Sequence, residues 1–327
     1  MKTSQFITFS LVFLTYFPFA FSEKCHPSDK KTLLKIKKDL NNDYIFVSWD
    51  PKIDCCEWNN VRCDPKTNRI YQLNIANSDL KLPLPSAIGD LPYLEGLSFR
   101  NTNLTGQIPQ SITKLTKLTN LDLRTNSLSG PIPSFLGELK NLDYLGLSHN
   151  NFTGSIPSSL SKLTKLTGLL LDRNKLTGQI PESFSQFQAD EIYMYLSHNQ
   201  LSGQVPKTLG KSNFTWMDIS WNKLEGDISF LFGKDKSTSG YDFSRNMLHF
   251  DMSNMVFPDS ITRLDLNHNM ITGSLPKSLA KFDSLYLDVS YNRLCGKIPV
   301  SNRLQELGSA NFVHNKCLCG APLPACK

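Results

Sequence analysis

The phrase LDLRTNSLSGPIP, Leu121 to Pro133, recurs as LGLSHNNFTGSIP from Leu145, LLLDRNKLTGQIP from Leu169 and LDLNHNMITGSLP from Leu264. Aligned on the polar residue that closes the alternating run, the units fall at Ser78, Thr102, Asn126, Asn150, Asn174, Asn199, Asn222, Asn246, Asn269 and Asn292, with steps of 23 to 25 residues. A chain that restates one unit ten times stacks coil on coil, each coil burying its apolar side against its neighbours. A length of 327 residues therefore does not count domains here.

Within a unit the order is x-x-L-x-L-x-x-N-x-L-x-G-x-I-P. The alternation Leu121-x-Leu123 has period two, so it predicts a short strand with leucines inward. Stacked units then build a parallel sheet with strands about 4.8 Å apart. After the strand the chain turns inward and leaves backbone groups that need partners. An asparagine offers donors and an acceptor at one point, and one per coil makes an internal ladder. Ser78 and Thr102 stand where that ladder begins. Gly and Ile-Pro bend the chain into a second short extended stretch, and segments such as SITKLTKL cross the outer side as short helical turns. Strands on one side and bulkier elements on the other force a curved superhelix.

The two ends differ from the middle. Lys2, the apolar run Phe6 to Phe21, and the small residues Ala20 and Ser22 before Glu23 read as a secretory signal peptide. That run is too short for a membrane span, which takes about 20 apolar residues. Cys25, Cys55, Cys56 and Cys63 precede the repeats; Cys295, Cys317, Cys319 and Cys326 close them. An even count behind an export signal reads as disulfides, and neither cluster has zinc-site spacing. SDKKTLLKIKKDL places Leu33, Ile36 and Leu40 on one helical face, with Ser28 as the expected N-cap. The net charge of +6 is mild and no basic block interleaves with aromatics, so neither nucleic acid nor a membrane is an expected partner. No cofactor or metal motif appears, and a monomer is expected.

Outward strand positions form columns on the concave face. One runs through Asp122, Tyr195, Asp218, Asp242, Asp265 and Asp288. A second runs through His149, Arg173, His198, Trp221, Arg245, His268 and Tyr291. Tyr144, Trp216, Arg124, Asp172 and Arg263 flank them. Repeated exposed aromatics and arginines on a rigid surface are the usual anchors of a protein interface. Five arginines stand there against eight acidic residues, Glu95 and Asp143 among them, which favours a cationic macromolecule over a polyanionic sugar. Adjacent aspartates would lie near the separation that retaining glycosidases use, but a regular open column offers no closed pocket, so an enzyme is not expected.

The unit Asn-x-Leu-x-Gly-x-Ile-Pro resembles the plant-type leucine-rich repeat, and WDPKIDCCEWNNVRCD, Trp49 to Asp64, resembles that family's N-terminal cap. With the irregular LEGDISFLFGKDK and the ending NKCLCGAPLPACK, the chain resembles the polygalacturonase-inhibiting proteins over nearly its whole mature length. The resemblance implies an α/β leucine-rich-repeat solenoid: a right-handed superhelix with a concave parallel sheet, a second short sheet, 3-10 turns outside and disulfide-stapled caps. It implies the pairs Cys25–Cys55, Cys56–Cys63, Cys295–Cys317 and Cys319–Cys326. It also implies a secreted, cell-wall inhibitor of fungal or insect endopolygalacturonases, with pectin itself only a weak partner.

A related taproot antifreeze protein shares the scaffold, so ice binding is the alternative. Its column would be Thr105, Ser129, Thr153, Thr177, Ser202 and Thr272. The sequons at Asn103 and Asn151 put expected glycans beside that column, and a third at Asn213 lies near the concave rim. A soluble receptor-like or peptide-binding module is a third reading. The expected organisation is a signal peptide (1–22), an N-terminal cysteine-rich cap (23–69), ten repeats (70–299) and a C-terminal cysteine-rich cap (300–327).

Overall fold

The computed structural model describes residues 24–327; the expected signal peptide lies outside the described residues. The leucine alternation builds an eleven-stranded sheet. It opens with the antiparallel pair Val61–Cys63 and Ile70–Ala76, then continues in parallel to Tyr286–Asp288. Leu97 pairs with Leu121, Leu121 with Leu145, Leu145 with Leu169, and Leu169 with Met194. Met194, Met217, Tyr241, Leu264 and Leu287 extend the line. Each pairing advances by one repeat, so equivalent residues form straight columns. These inward residues are at most 1% exposed and form the core.

A second, seven-stranded sheet runs from Thr105–Gly106 to Met247–Leu248. Its glycines have φ between 72° and 86° at Gly106, Gly130, Gly154, Gly178, Gly203 and Gly226, a region that a Cβ disfavours. Proline follows: Pro109, Pro133, Pro157, Pro181, Pro206 and Pro276 each immediately precede a 3-10 turn of five residues. These turns form the outer side of the coils.

The asparagine ladder is the internal spine. Asn174 Nδ2 donates to Leu147 O, Leu171 O and Asp172 O at 3.0, 3.0 and 3.3 Å, and its Oδ1 accepts from Phe152 N at 3.0 Å. One side chain thus closes its own turn and ties it to the previous coil. At the N-terminal end, Thr102 donates through both N and Oγ1 to Asn126 Oδ1, while Ser78 Oγ turns away to Asp43. At the other end the ladder runs beyond Asn292. Asn315 donates to Val289 O and Phe312 O and accepts from Leu294 N. Ala310 and Phe312 stand where leucine pairs precede Asn126, Asn150, Asn174 and Asn269, so the leucine alternation does not mark this rung.

Helix α1, Pro27–Asp39, closes the first coil with Leu33, Ile36 and the following Leu40 fully buried. The expected N-cap, Ser28, is corrected to His26. Pro27 occupies the first helical position, where its ring pre-sets φ, and His26 Nδ1 accepts from Ser28 N. Buried Asp29 grips Arg69 through Nε at 2.9 Å and Nη2 at 2.7 Å and also accepts from Ile70 N, joining the cap to the sheet. The cysteines pair as Cys25–Cys55, Cys56–Cys63, Cys295–Cys317 and Cys319–Cys326. Among the described residues, no helix is long and apolar enough to cross a membrane.

Candidate functional site on the concave sheet

Straight register places Asp218 beside Asp242, Asp242 beside Asp265 and Asp265 beside Asp288. Three of these carboxylates are locked by the residue two positions on. Oδ1 of Asp218 accepts from Ser220 N and Oγ at 3.0 and 2.7 Å, and Asp242 and Asp288 repeat the arrangement with Ser244 and Ser290. Oδ1 of each is thereby engaged within its own coil. Arg263 lies among the column, 3.4 Å from Asp265 Oδ2 and 4.0 Å from Asp242 Oδ2.

Two expected outward charges are corrected. Asp122 and Asp265 stand in the column but are only 8% and 5% exposed. Arg124 neutralises Asp122 through Nε and Nη2 at 2.9 and 2.8 Å, because the pair lies two residues apart on one face of the strand. Asp265 is enclosed by its neighbours and accepts from Asn267 Nδ2 at 2.6 Å. Burial, reinforced by Asp242, pushes its carboxyl up to about 7, and burial also raises Asp242. Asp172 accepts from Ser148 Oγ and lies 3.9 Å from His149 Nε2.

A pH dependence follows. An unfolded aspartate titrates near about 3.9, so between about 4 and 7 the folded chain holds a proton at Asp265 that the unfolded chain has released. This contribution to stability is present at low pH and is lost as pH rises through that window. We expect the melting temperature of Asp265→Asn to rise relative to that of the unmodified chain between pH 4.5 and 7.5, because the variant holds no such proton. Equal slopes for the two proteins in calorimetry would contradict this.

The second column has a backbone signature that composition hid. Asn77, Asn101, Thr125, His149, Arg173, His198, Trp221, Arg245, His268 and Tyr291 all have φ between 52° and 58°. This left-handed state turns each coil inward toward its ladder asparagine; it suits Asn and His but is unusual for Trp, Tyr or Thr. The side chains then stack. The His198 and Trp221 rings lie 5.0 Å apart, and Arg245 covers Trp221 at 4.2 Å. His268, Tyr291 and His314 stack at 4.1 Å per step. Trp221 is 47% exposed and Tyr291 44%. Burial lowers His198 and His268 from the ordinary histidine value, favouring their neutral forms. The recurrence of His and Asn at this phase was the available signal for the backbone state. His314, followed by Asn315 as His268 is by Asn269, carries the same signal and has φ of 60°.

The remaining predicted contacts are distributed around these columns. Arg173 is exposed, and Tyr195 is half-buried with its hydroxyl raised by burial. Tyr144 and Trp216 are half-buried on strands Tyr144–Gly146 and Phe214–Asp218. Arg124 approaches the Tyr144 ring at 5.5 Å, and burial pushes the Tyr144 hydroxyl up to about 12.

The hydroxyl column is different. Thr153, Thr177 and Thr272 are exposed, while Thr105, Ser129 and Ser202 are half-buried. In the second sheet, Thr105 lies opposite Ser127, Ser129 opposite Asn151, Thr153 opposite Lys175, Thr177 opposite Gln200 and Ser202 opposite Lys223. Each strand is displaced by about two residues relative to the repeat, so the hydroxyls run diagonally, and lysines interrupt the direct cross-strand rows. Of the sequon asparagines, Asn103 donates to Asp79 and accepts from Ser127, Asn151 is half-buried and Asn213 is exposed.

A curved stack of coils with one open sheet of ordered carboxylates and a stacked aromatic rim defines a leucine-rich-repeat binding scaffold. The family model for the leucine rich repeat N-terminal domain matches residues 26–64, and that for the Leucine Rich Repeat matches 117–139, 141–163, 165–187, 192–212 and 260–282. A polygalacturonase inhibitor of Vitis vinifera is 56% identical over 333 residues, covering 100% of both chains. Polygalacturonase inhibitor 2 of Arabidopsis thaliana is 59% identical over 306 residues, 93% of each chain. The chain belongs to the polygalacturonase-inhibitor family. The crystal structure of a plant ice-binding protein is also similar, at 49% identity and a TM-score of 0.90, covering 93% of this chain and 99% of that one.

Proposed function

We propose that the chain is a secreted, monomeric cell-wall protein of plant defence that inhibits endopolygalacturonases of fungi or insects. It binds the enzyme non-covalently through the concave sheet and performs no chemistry of its own. The observation that carries this reading is the in-register carboxylate column beside an exposed aromatic rim, on a chain more than half identical to polygalacturonase inhibitors. An enzyme that grips a polyuronide must present cations around its cleft, and Asp218 and Asp242 complement them. Trp216, Trp221, Tyr195, Arg245 and His268 supply apolar and hydrogen-bonding contact around those charges. Pectin, being anionic, is a weak ligand of this face. The test is pectin hydrolysis by a panel of fungal and insect endopolygalacturonases with the purified protein added. Slower hydrolysis by at least one enzyme is expected; full activity of every enzyme would sink the proposal.

Ice binding is the second reading, and similarity to the ice-binding structure favours it. The diagonal hydroxyl array and the lysines crossing it speak against a flat ice-matching plane. Ice recrystallisation measured on the same sample separates the two readings.

A further inference from the structure

Gly96, Gly146, Gly168 and Gly240 stand on the concave sheet with no backbone reason to be glycine, and at two of them a ring from the preceding coil fills the space. Gly168 and Gly240 lie in strands Gly168–Leu170 and Gly240–Asp242, and neither has a positive φ. Glycine within a strand weakens it, and where no turn demands it, the cause is usually a close approach by another group. That approach comes from the preceding coil. Tyr144 pairs with Gly168, and Trp216 pairs with Gly240. A Cβ on Gly240 would lie 2.2 Å from Trp216 Cζ3 and 2.5 Å from Cε3; one on Gly168 would lie 2.7 Å from Tyr144 Cδ2. Each ring therefore leans over the next strand and occupies the space that a side chain there would fill.

We infer that Gly168 and Gly240 are positioning residues that seat Tyr144 and Trp216 flat on the sheet as rigid anchors for the bound enzyme, an inference that rests on the function proposed above. A seated ring is held before the partner arrives, so little side-chain freedom is lost on association. The anchors present broad apolar faces, which fit a shallow apolar patch beside the partner's cationic groups rather than a narrow cleft that would need an upright side chain.

The test is Gly240→Ala, alone and combined with Trp216→Ala, measured against an enzyme that the unmodified chain inhibits. Displacing the ring is expected to weaken inhibition about tenfold. In the Trp216→Ala background the same change is expected to have no further effect, because coupled residues are not additive. Gly96→Ala is the control: its Cβ would meet only the flexible Gln72 side chain, at 3.3 Å, and inhibition is expected to stay unchanged. Unchanged inhibition by Gly240→Ala, or an equal loss in both backgrounds, would overturn the inference.

Seating is also measurable without any enzyme. Trp49 and Trp58 are buried, so in a Trp221→Phe background Trp216 is the indole open to acrylamide quenching. Gly240→Ala should increase that quenching. Unchanged quenching defeats the seating, whereas increased quenching in a protein that inhibits no polygalacturonase upholds the seating and defeats the proposed function.

Discussion

Replacing Asp218 and Asp242 together by lysine is expected to weaken polygalacturonase inhibition by about 100-fold and to remove most of its salt dependence. The two carboxylates face the same side on neighbouring strands, and each is pre-oriented by a serine two residues on. Losing one member of a buried, hydrogen-bonded interfacial charge pair costs about 2–5 kcal/mol, and about 2.7 kcal/mol corresponds to 100-fold in affinity. Lysine adds repulsion against a cationic partner, and ionic strength screens the attraction that the unmodified chain relies on. Burial raises the Asp242 carboxyl, so a cationic partner must displace a proton there, and inhibition should strengthen as pH rises above the ordinary carboxylate value. Melting curves separate lost contact from lost fold, since Ser220 and Ser244 lose a partner in the variant. Equal inhibition constants for variant and unmodified chain, at low and high salt, would remove the acidic column from the interface.

Asn174→Ala is expected to destabilise its coils by about 3–5 kcal/mol, the largest stability effect of any single change considered. The side chain satisfies three carbonyls and one amide, and leaving a buried polar group unpaired costs about 1–3 kcal/mol. Partial relaxation and water entry keep the total below the full sum. In a solenoid each coil contacts only its neighbours, so the loss should be local. Hydrogen exchange should accelerate between about residues 147 and 199, while the cap helix α1 keeps its protection. Asn174→Asp should be nearly as damaging: it keeps the acceptor, loses the donors and buries a charge. Exchange rates that stay within twofold of the unmodified chain would show that backbone stacking, rather than the ladder, holds the coils together.

Much of the architecture was legible before any coordinate. Leu97, Leu121, Leu145 and Leu169 announce their burial by a period-two alternation repeated every 24 residues, and the structure stacks them in that order. Asn150 and Asn174 could be read as ladder rungs because a turn lacking backbone partners needs a side chain with both donors and an acceptor. The helix face of Leu33, Ile36 and Leu40 was equally plain, although its cap was not: α1 begins at Pro27, which makes His26 the cap. The site was legible as columns but not as chemistry. Asp122 and Asp265 occupy their predicted phase, yet one is neutralised by Arg124 and the other is held toward its protonated form. The rim residues stand at one phase of the repeat, while their shared left-handed backbone and the stacking of His268, Tyr291 and His314 emerge only in the structure.

The sequence by itself determined what translation along the solenoid can express: the repeat length, the inward leucines, the ladder and the outward columns. Each of these needs only one coil and the rule that the next coil is like it. Tertiary structure decided whatever depends on how one coil lies against the next. It staggered the second sheet by about two residues, buried two aspartates that look exposed in isolation, and laid Tyr144 and Trp216 across the glycines of following strands. Strand register, ring seating and the burial that raises Asp265 are set by neighbours roughly one repeat away, and no stretch within a single coil carries that information.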